Sequence, residues 1–349
     1  MNKMRTGTIK FPEASPLQIV KKAKIVSTGM YVPENVVSNE DIINRWDLIA
    51  TDRAVRYSLG ITERRWDGEG LPMSILLARA AHHCLENIGF PVERLDRIIF
   101  ARLFGDRNVP ATAIEVMKLL GCRHHIPALD ITSACSGFMH AMDLGLRGIN
   151  AGDDYTLILA GAMTRNLQNE FVDGESQTIF LMGDAAVALL MGPADQTHFE
   201  ATYFYTNPTE FDIAYIPFGS ATLNKEFKAE STLFNMKITN GYAIHQSVLA
   251  SCKVVAKELL RITGHSIEQM DYVITSDQTT LVWKDQMQSL GVPEEKSLSL
   301  FSKYGNTVAA MSPLILNELI RSGRLKRGMR VMMMAHGAGS SAGGAIFTY

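Results

Sequence analysis

Residues 130–162 read DITSACSGFMHAMDLGLRGINAGDDYTLILAGA, and their division into strand, elbow, helix and strand decides the fold. The run ALDIT (128–132) reads as a buried strand. Beyond it, Phe138, Met142, Leu146 and Ile149 recur at three- to four-residue spacing, which predicts an amphipathic helix over about 136–151. YTLILAGA (155–162) supplies the next strand. At the elbow stands Cys135, between the small residues Ser133, Ala134, Ser136 and Gly137. A cysteine there faces the positive end of the helix dipole, where free N–H groups favour thiolate and can hold an oxyanion when sulfur attacks a carbonyl. A core thiol at an element junction would look the same, and the stretch alone leaves both readings open.

The alternation continues outward. AKIVSTG (23–29), DRIIFARLF (96–104) and AAVALLMG (185–192) read as strands, as do DYVITSD (271–277), RVMMMAHG (330–337) and GGAIFTY (343–349). Helical spacing marks about 73–88, 111–120, 244–263, 280–290 and 308–322. Such alternation implies crossover connections and largely parallel sheets covered by helices. The stretch 193–234 is aromatic, polar and irregular, and reads as a connection between two α/β halves, with a further strand at 199–206. Each half closes on a strand after a glycine-bearing turn, which hints at a duplicated unit. The expected organisation is an extension over 1–21, one half over 22–195 carrying Cys135, and a second over 196–349.

The balance of 34 basic and 36 acidic residues gives a net charge of −2, so no general pull toward nucleic acid or an anionic membrane is expected. No apolar run reaches membrane-spanning length, and residues 1–24 lack the features of a secretory signal. Cys84, Cys122, Cys135 and Cys252 lie far apart without a CxxC pair. That spacing argues against a zinc site or a disulfide framework and fits a cytoplasmic protein.

Several ordered motifs together resemble the β-ketoacyl-ACP synthase III family of the thiolase superfamily. Residues 130–162 resemble its active-site cysteine segment, and KIVSTGMYVPENVVSNEDI its opening strand and turn. LGITERRW resembles its G-I-x-E-R-x segment, FLMGDAAVALLMG its F-G-D-G-A-A block, and KYGNTVAAMSPLILNELIRSGRLKRGMRVMMMAHGAG its G-N-T-S-A-A segment through to the glycine turn. The resemblance implies a thiolase-like fold. Two similar βαβαβαββ halves, each with a mixed five-stranded sheet, would form five layers, α-β-α-β-α. The helices after Cys135 and near 308–322 would be buried at the centre. It further implies a homodimer with FGDRNVPAT (104–112) near the interface, Cys135 as the acyl-carrying nucleophile, and an oxyanion hole from the N–H groups of Cys135 and Ala338, with Gly339 as the alternative.

Two departures fall at the implied active site. The family sets a histidine from an H-Q-A-N segment and an asparagine from G-N-T beside the cysteine. Asn306 matches the second, but Asp277 stands where the histidine is expected, followed by Gln278, with Thr280 replacing that segment's asparagine. His336, in turn, occupies a place where the family has phenylalanine. The expectation is a Cys–His–Asp arrangement in which Asp277 orients His336, raises its pKa, and makes it a general base for Cys135. His245 falls about thirty residues before the expected strand end and is set aside, while His124 and His125 read as surface.

No permanently bound cofactor is expected. The donor would be acyl-CoA or an acyl group on a carrier protein's phosphopantetheine. Ala54 and Ser58 stand near the places of the family's nucleotide-contacting tryptophan and arginine, with Arg53 and Arg56 close by. The basic stretch RSGRLKRGMR (321–330) is available to a carrier protein. Three functions stay open: an acyltransferase acting without decarboxylation, a decarboxylating β-ketoacyl synthase, and a non-catalytic partner of an active homologue.

Overall fold

The computed structural model describes residues 22–122, 125–163, 176–217 and 236–349. The expected extension 1–21, His124 and residues 218–234 of the expected connection lie outside the described residues.

In chain order the strands are β1 (Ala23–Tyr31), β2 (Val36–Ser38), β3 (Glu63–Arg65), β4 (Arg97–Arg102), β5 (Ala128–Thr132), β6 (Thr156–Ala162) and β7 (Ala185–Pro193). They continue as β8 (Phe199–Thr206), β9 (Ala214–Tyr215), β10 (Lys237–Ile238), β11 (Tyr272–Ile274), β12 (Arg330–Gly337) and β13 (Ser341–Thr348). The helices are α1 (Asn39–Trp46), α2 (Asp52–Leu59), α3 (Met73–Glu86), α4 (Thr112–Leu119) and α5 (Gly137–Ala151), followed by α6 (Ser176–Leu181), α7 (Gly241–Thr263), α8 (Thr280–Leu290), α9 (Phe301–Tyr304) and α10 (Met311–Arg321).

One mixed sheet has the order β1-β7-β6-β4-β5, with β6-β4-β5 parallel and β1-β7-β6 antiparallel. All seven residues of β6 are buried, as a strand covered on both faces requires. The second mixed sheet has the order β11-β12-β13-β8, four strands among the described residues where five were expected. Its first strand ends at Ile274, short of the expected 277, because the chain leaves the β12 ladder there.

A single apolar cluster joins Phe138, Met142, Leu146 and Ile149 of α5 to Leu314, Ile315 and Leu319 of α10. The same cluster takes in Ile99 and Ile158 from the first sheet and Val331, Met333 and Phe347 from the second. The two helices therefore lie between the sheets. Outside the first sheet, α3 and α4 pack Leu77, Ala81 and Val116 on Ile98, Phe100 and Leu157. Outside the second, Val255, Leu259 and Met287 of α7 and α8 pack on Met332 and Ile346. This is the expected five-layer order, and each fully buried Leu, Ile or Phe contributes roughly 1.5–3 kcal/mol. No helix among the described residues is long and apolar enough to cross a membrane.

Candidate active site

The first sheet delivers Cys135 to the centre of the molecule. After β5 the chain turns through Ala134, whose φ of +44° is unfavourable for any residue with a Cβ, and passes through a 3-10 turn into α5. A small side chain and tight packing hold that turn. A Cβ added to Gly337 would lie 2.7 Å from the Ser133 carbonyl oxygen and 3.1 Å from the Cys135 nitrogen, so the end of β12 closes directly onto the elbow backbone. Hydroxyls tie the same junction together: Ser133 lies 3.0 Å from Ser136 and 3.1 Å from Ser341, and His140 lies 3.3 Å from Ser341 while stacking on Phe204.

Cys135 is half-buried. Burial pushes its thiol up to about 11, against the opposing pull of its own N–H, the Ser276 hydroxyl and the Asn306 side chain. The lowered pKa expected from the helix start is therefore overturned, because desolvation of the thiolate outweighs the amides.

Asn306 reaches the thiol from a strap that follows α9. Its N–H donates to Leu181 O at 2.6 Å, its carbonyl accepts from Gly183 N at 3.1 Å, and its Oδ1 accepts from Val308 N at 2.8 Å. With Oδ1 engaged, the amide NH2 is the group left to donate. Only glycine fits at 183, where a Cβ would lie 1.9 Å from Tyr304 O. The buried guanidinium of Arg64 supports this strap, donating to Phe180 O at 2.8 Å, Asn39 Oδ1 at 2.7 Å and Val37 O at 3.1 Å.

Asp277 is elsewhere. Its Oδ2 accepts from Leu300 N at 3.0 Å, at the start of the one-turn α9, and burial pushes its carboxyl up to about 7. The expected Asp277–His336 pairing is not formed. Successive side chains of an extended segment point to opposite sides, and here the side facing Cys135 belongs to Ser276. Sequence reasoning missed Ser276 because one residue of register decides between the two.

His336 is buried and lines the same cavity as Cys135. Its Nε2 lies 3.1 Å from Ser247 Oγ and its Nδ1 3.4 Å from Gln278 Nε2. Burial pulls its pKa down to about 4, opposed by the charge of Glu210, which reverses the rise expected from an Asp277 neighbour. At neutral pH the pair at rest is thus a neutral thiol and a neutral imidazole.

The cavity has a volume of about 230 Å³ and brings together Cys135, Asn306, His336 and Ala338. Its other walls are largely apolar and include Leu103, Leu181, Ile213, Ile244 and Val282. Ala338 begins the turn between β12 and β13, which continues through Gly339 and Ser340 at φ values of +76° and +51°. His245 also lines the cavity, with Nε2 2.8 Å from Asp285 Oδ2. His125 is exposed, and His124 lies outside the described residues. Among the described residues no group of three or more His, Cys, Asp or Glu side chains is disposed to hold a metal ion.

The basic stretch is largely committed within the chain. Arg324 donates to Ser297 O, Arg327 to Ile25 O and Val26 O, and Arg330 pairs with Glu200 at 3.1 Å. Arg56 pairs with Asp52 at 2.6 Å, while Arg53 is exposed.

Residues 129–208 match the family described as 3-oxoacyl-[acyl-carrier-protein (ACP)] synthase III, and residues 260–349 match its C-terminal region. A β-ketoacyl-[acyl-carrier-protein] synthase III of Rhodopirellula baltica is 31% identical over 350 residues, covering 95% of this chain and 99% of that protein. The enzyme of the same name from Rhodospirillum rubrum is 29% identical over 332 residues, covering 93% and 98%. The crystal structure of 3-oxoacyl-[acyl-carrier-protein] synthase III from Aquifex aeolicus superposes with a TM-score of 0.83 at 28% identity, over 94% of this chain and 100% of that one.

Proposed function

The chain belongs to the β-ketoacyl-[acyl-carrier-protein] synthase III family and has its thiolase-like fold, and from that premise we propose that it transfers acyl groups through an acyl-Cys135 intermediate without decarboxylation. The sulfur of Cys135 adds to the carbonyl of an acyl-CoA, or of an acyl group on a carrier protein's phosphopantetheine, in metabolism of the fatty-acid or polyketide type. The thiol proton passes to His336, and the N–H groups of Cys135 and Ala338 hold the oxyanion. Collapse breaks the donor's C–S bond, and the departing thiolate takes the proton from His336. An acceptor alcohol, amine or carbon acid then attacks the acyl carbon and gives its proton to His336, and the expelled Cys135 thiolate takes that proton back.

The observation that supports this reading most is geometric: a buried imidazole, His336, lines the same cavity as the nucleophile. The imidazole is unprotonated at neutral pH and so can accept a proton. The resting thiol is protonated, so proton removal accompanies attack and a base in the cavity is required.

Decarboxylating condensation is the second reading. It draws support from the Ser276 hydroxyl and Asn306 amide beside the thiol, two donors for an enolate oxygen, and from a carboxyl at 277 turned away from it. Intact mass after incubation with acetyl-CoA and then malonyl-CoA separates the cases. An acyl adduct absent from Cys135→Ala, with the malonyl mass retained, supports transfer. Loss of CO₂ supports condensation, and no adduct supports a non-catalytic partner.

A homodimer fits the same reading. β5 is the outer strand of the first sheet, and the loop following β4 exposes Val109 at 82%. An isologous contact there would cover both edges, and sedimentation as a monomer at micromolar concentration would exclude it.

A further inference from the structure

We propose that Glu210 is a positioning residue for His336: acting through the Ser247 hydroxyl, it fixes the imidazole as the Nε2-protonated tautomer and leaves Nδ1 as the proton acceptor. This rests on the reading of His336 as the base for acyl transfer.

Three distant segments meet at this point. Glu210 closes the turn Pro208–Glu210 after β8, Ser247 lies on the second turn of α7, and His336 is near the end of β12. Ser247 Oγ is hydrogen-bonded to Glu210 Oε2, to Ser340 Oγ at 3.0 Å and to His336 Nε2 at 3.1 Å. A hydroxyl has one hydrogen and two lone pairs, whereas a carboxylate only accepts. The Ser247 hydrogen therefore goes to Glu210. Toward its other two neighbours Ser247 can only accept, so Ser340 Oγ–H and His336 Nε2–H both donate to it.

A neutral imidazole carries one N–H. With Nε2 protonated, the lone pair sits on Nδ1, where the Gln278 amide nitrogen donates from 3.4 Å, against the pull of the histidine's own carbonyl, which would accept a proton on that side of the ring. That contact is long and is readily exchanged for the proton of a substrate or thiol. Without Glu210 the Ser247 hydrogen would be free to turn toward Nε2, and the lone pair would point at Ser247 on the buried side. An acidic group behind a histidine is a general means of selecting its tautomer, and here a serine hydroxyl stands between the two.

The test uses the full chain with ¹⁵N-labelled histidine and long-range proton–nitrogen correlation at neutral pH, alongside acyl loading from acetyl-CoA. In the parent protein His336 should carry its proton on Nε2. Glu210→Gln should mix or reverse the tautomer and slow loading at saturating acetyl-CoA by roughly ten- to a hundredfold, part of the 10²–10⁴ that a general base supplies, with KM changing less than about threefold. Ser247→Thr should keep the tautomer and most of the rate, and Ser247→Ala should lose both. A parent His336 protonated on Nδ1 overturns the proposal, whatever the variants do. So does a Glu210→Gln protein with an unchanged tautomer. If the tautomer responds as expected but Cys135 takes up no acetyl group, acyl transfer fails as a reading while the relay stands.

Discussion

Asp277→Asn should stabilise the protein at alkaline pH and do little near pH 4. The carboxyl is buried, and its pKa is pushed up to about 7 from the 3.8 of a free aspartate, chiefly by desolvation. The folded state thus keeps its proton over a window where the unfolded chain has released it. Stability then falls with rising pH between about 4 and 7, at up to about 1.4 kcal/mol per pH unit, and levels off above 7. A difference of about three units amounts to roughly 4 kcal/mol across the window. Asparagine is nearly isosteric, can accept the Leu300 N–H through its own oxygen, and does not ionise. The stability difference, variant minus parent, should therefore grow by a few kcal/mol from pH 4.5 to pH 8, read from urea midpoints in matched buffers. Acyl loading by Cys135 should stay within about threefold of the parent, because the carboxyl caps α9 rather than touching His336. A pH-independent difference, or a variant that loses stability as pH rises, would refute the burial assigned to Asp277. A large loss of loading in a stably folded variant would return it to the cavity.

Iodoacetamide should modify Cys135 slowly at neutral pH, with a rate that climbs about tenfold per pH unit toward a plateau near pH 11. Ser276→Ala should move that plateau upward, and peptide mass mapping distinguishes Cys135 from the buried Cys84, Cys122 and Cys252. Gly337→Ala places a Cβ within 2.7–3.1 Å of backbone atoms of Ser133, Ser136 and Cys135, which cannot rotate aside. It should cost roughly 1–3 kcal/mol of stability and, by shifting the nucleophile, reduce acyl loading by about a hundredfold.

The fold was legible because its strongest signals are local. The stripe Phe138, Met142, Leu146 and Ile149 predicted a helix over about 136–151, and α5 spans Gly137–Ala151. The strand suggested at 199–206 is β8, with the same limits. Short pairings were less legible: DYVITSD carries strand-forming residues to 277, but β11 stops at Ile274, where its ladder with β12 ends. At the candidate site, Cys135, Asn306, His336 and Ala338, all nominated from the sequence, share one cavity. The placing of Asp277 failed because facing depends on a single-residue register, which flips every side chain of an extended segment. The sign of the Cys135 shift failed because the helix start is visible in the sequence and the depth of burial is not. Ser247 and Glu210 carried no signal, since a serine 89 residues from its histidine in the chain resembles any other until the helix and strand meet.

The closure of Gly337 onto the Cys135 elbow makes the protein its own complementation assay. The thiol comes from one sheet's chain, and the imidazole and turn amide from the other's. On the proposed mechanism, any thermal opening that parts β12 from the elbow leaves one half with the nucleophile and the other with its base. Turnover then counts the molecules whose halves are docked, and it should fade on heating before either sheet loses its own secondary structure. A cut between β7 and β8, outside both ladders, would yield two inert pieces that regain activity only by finding each other.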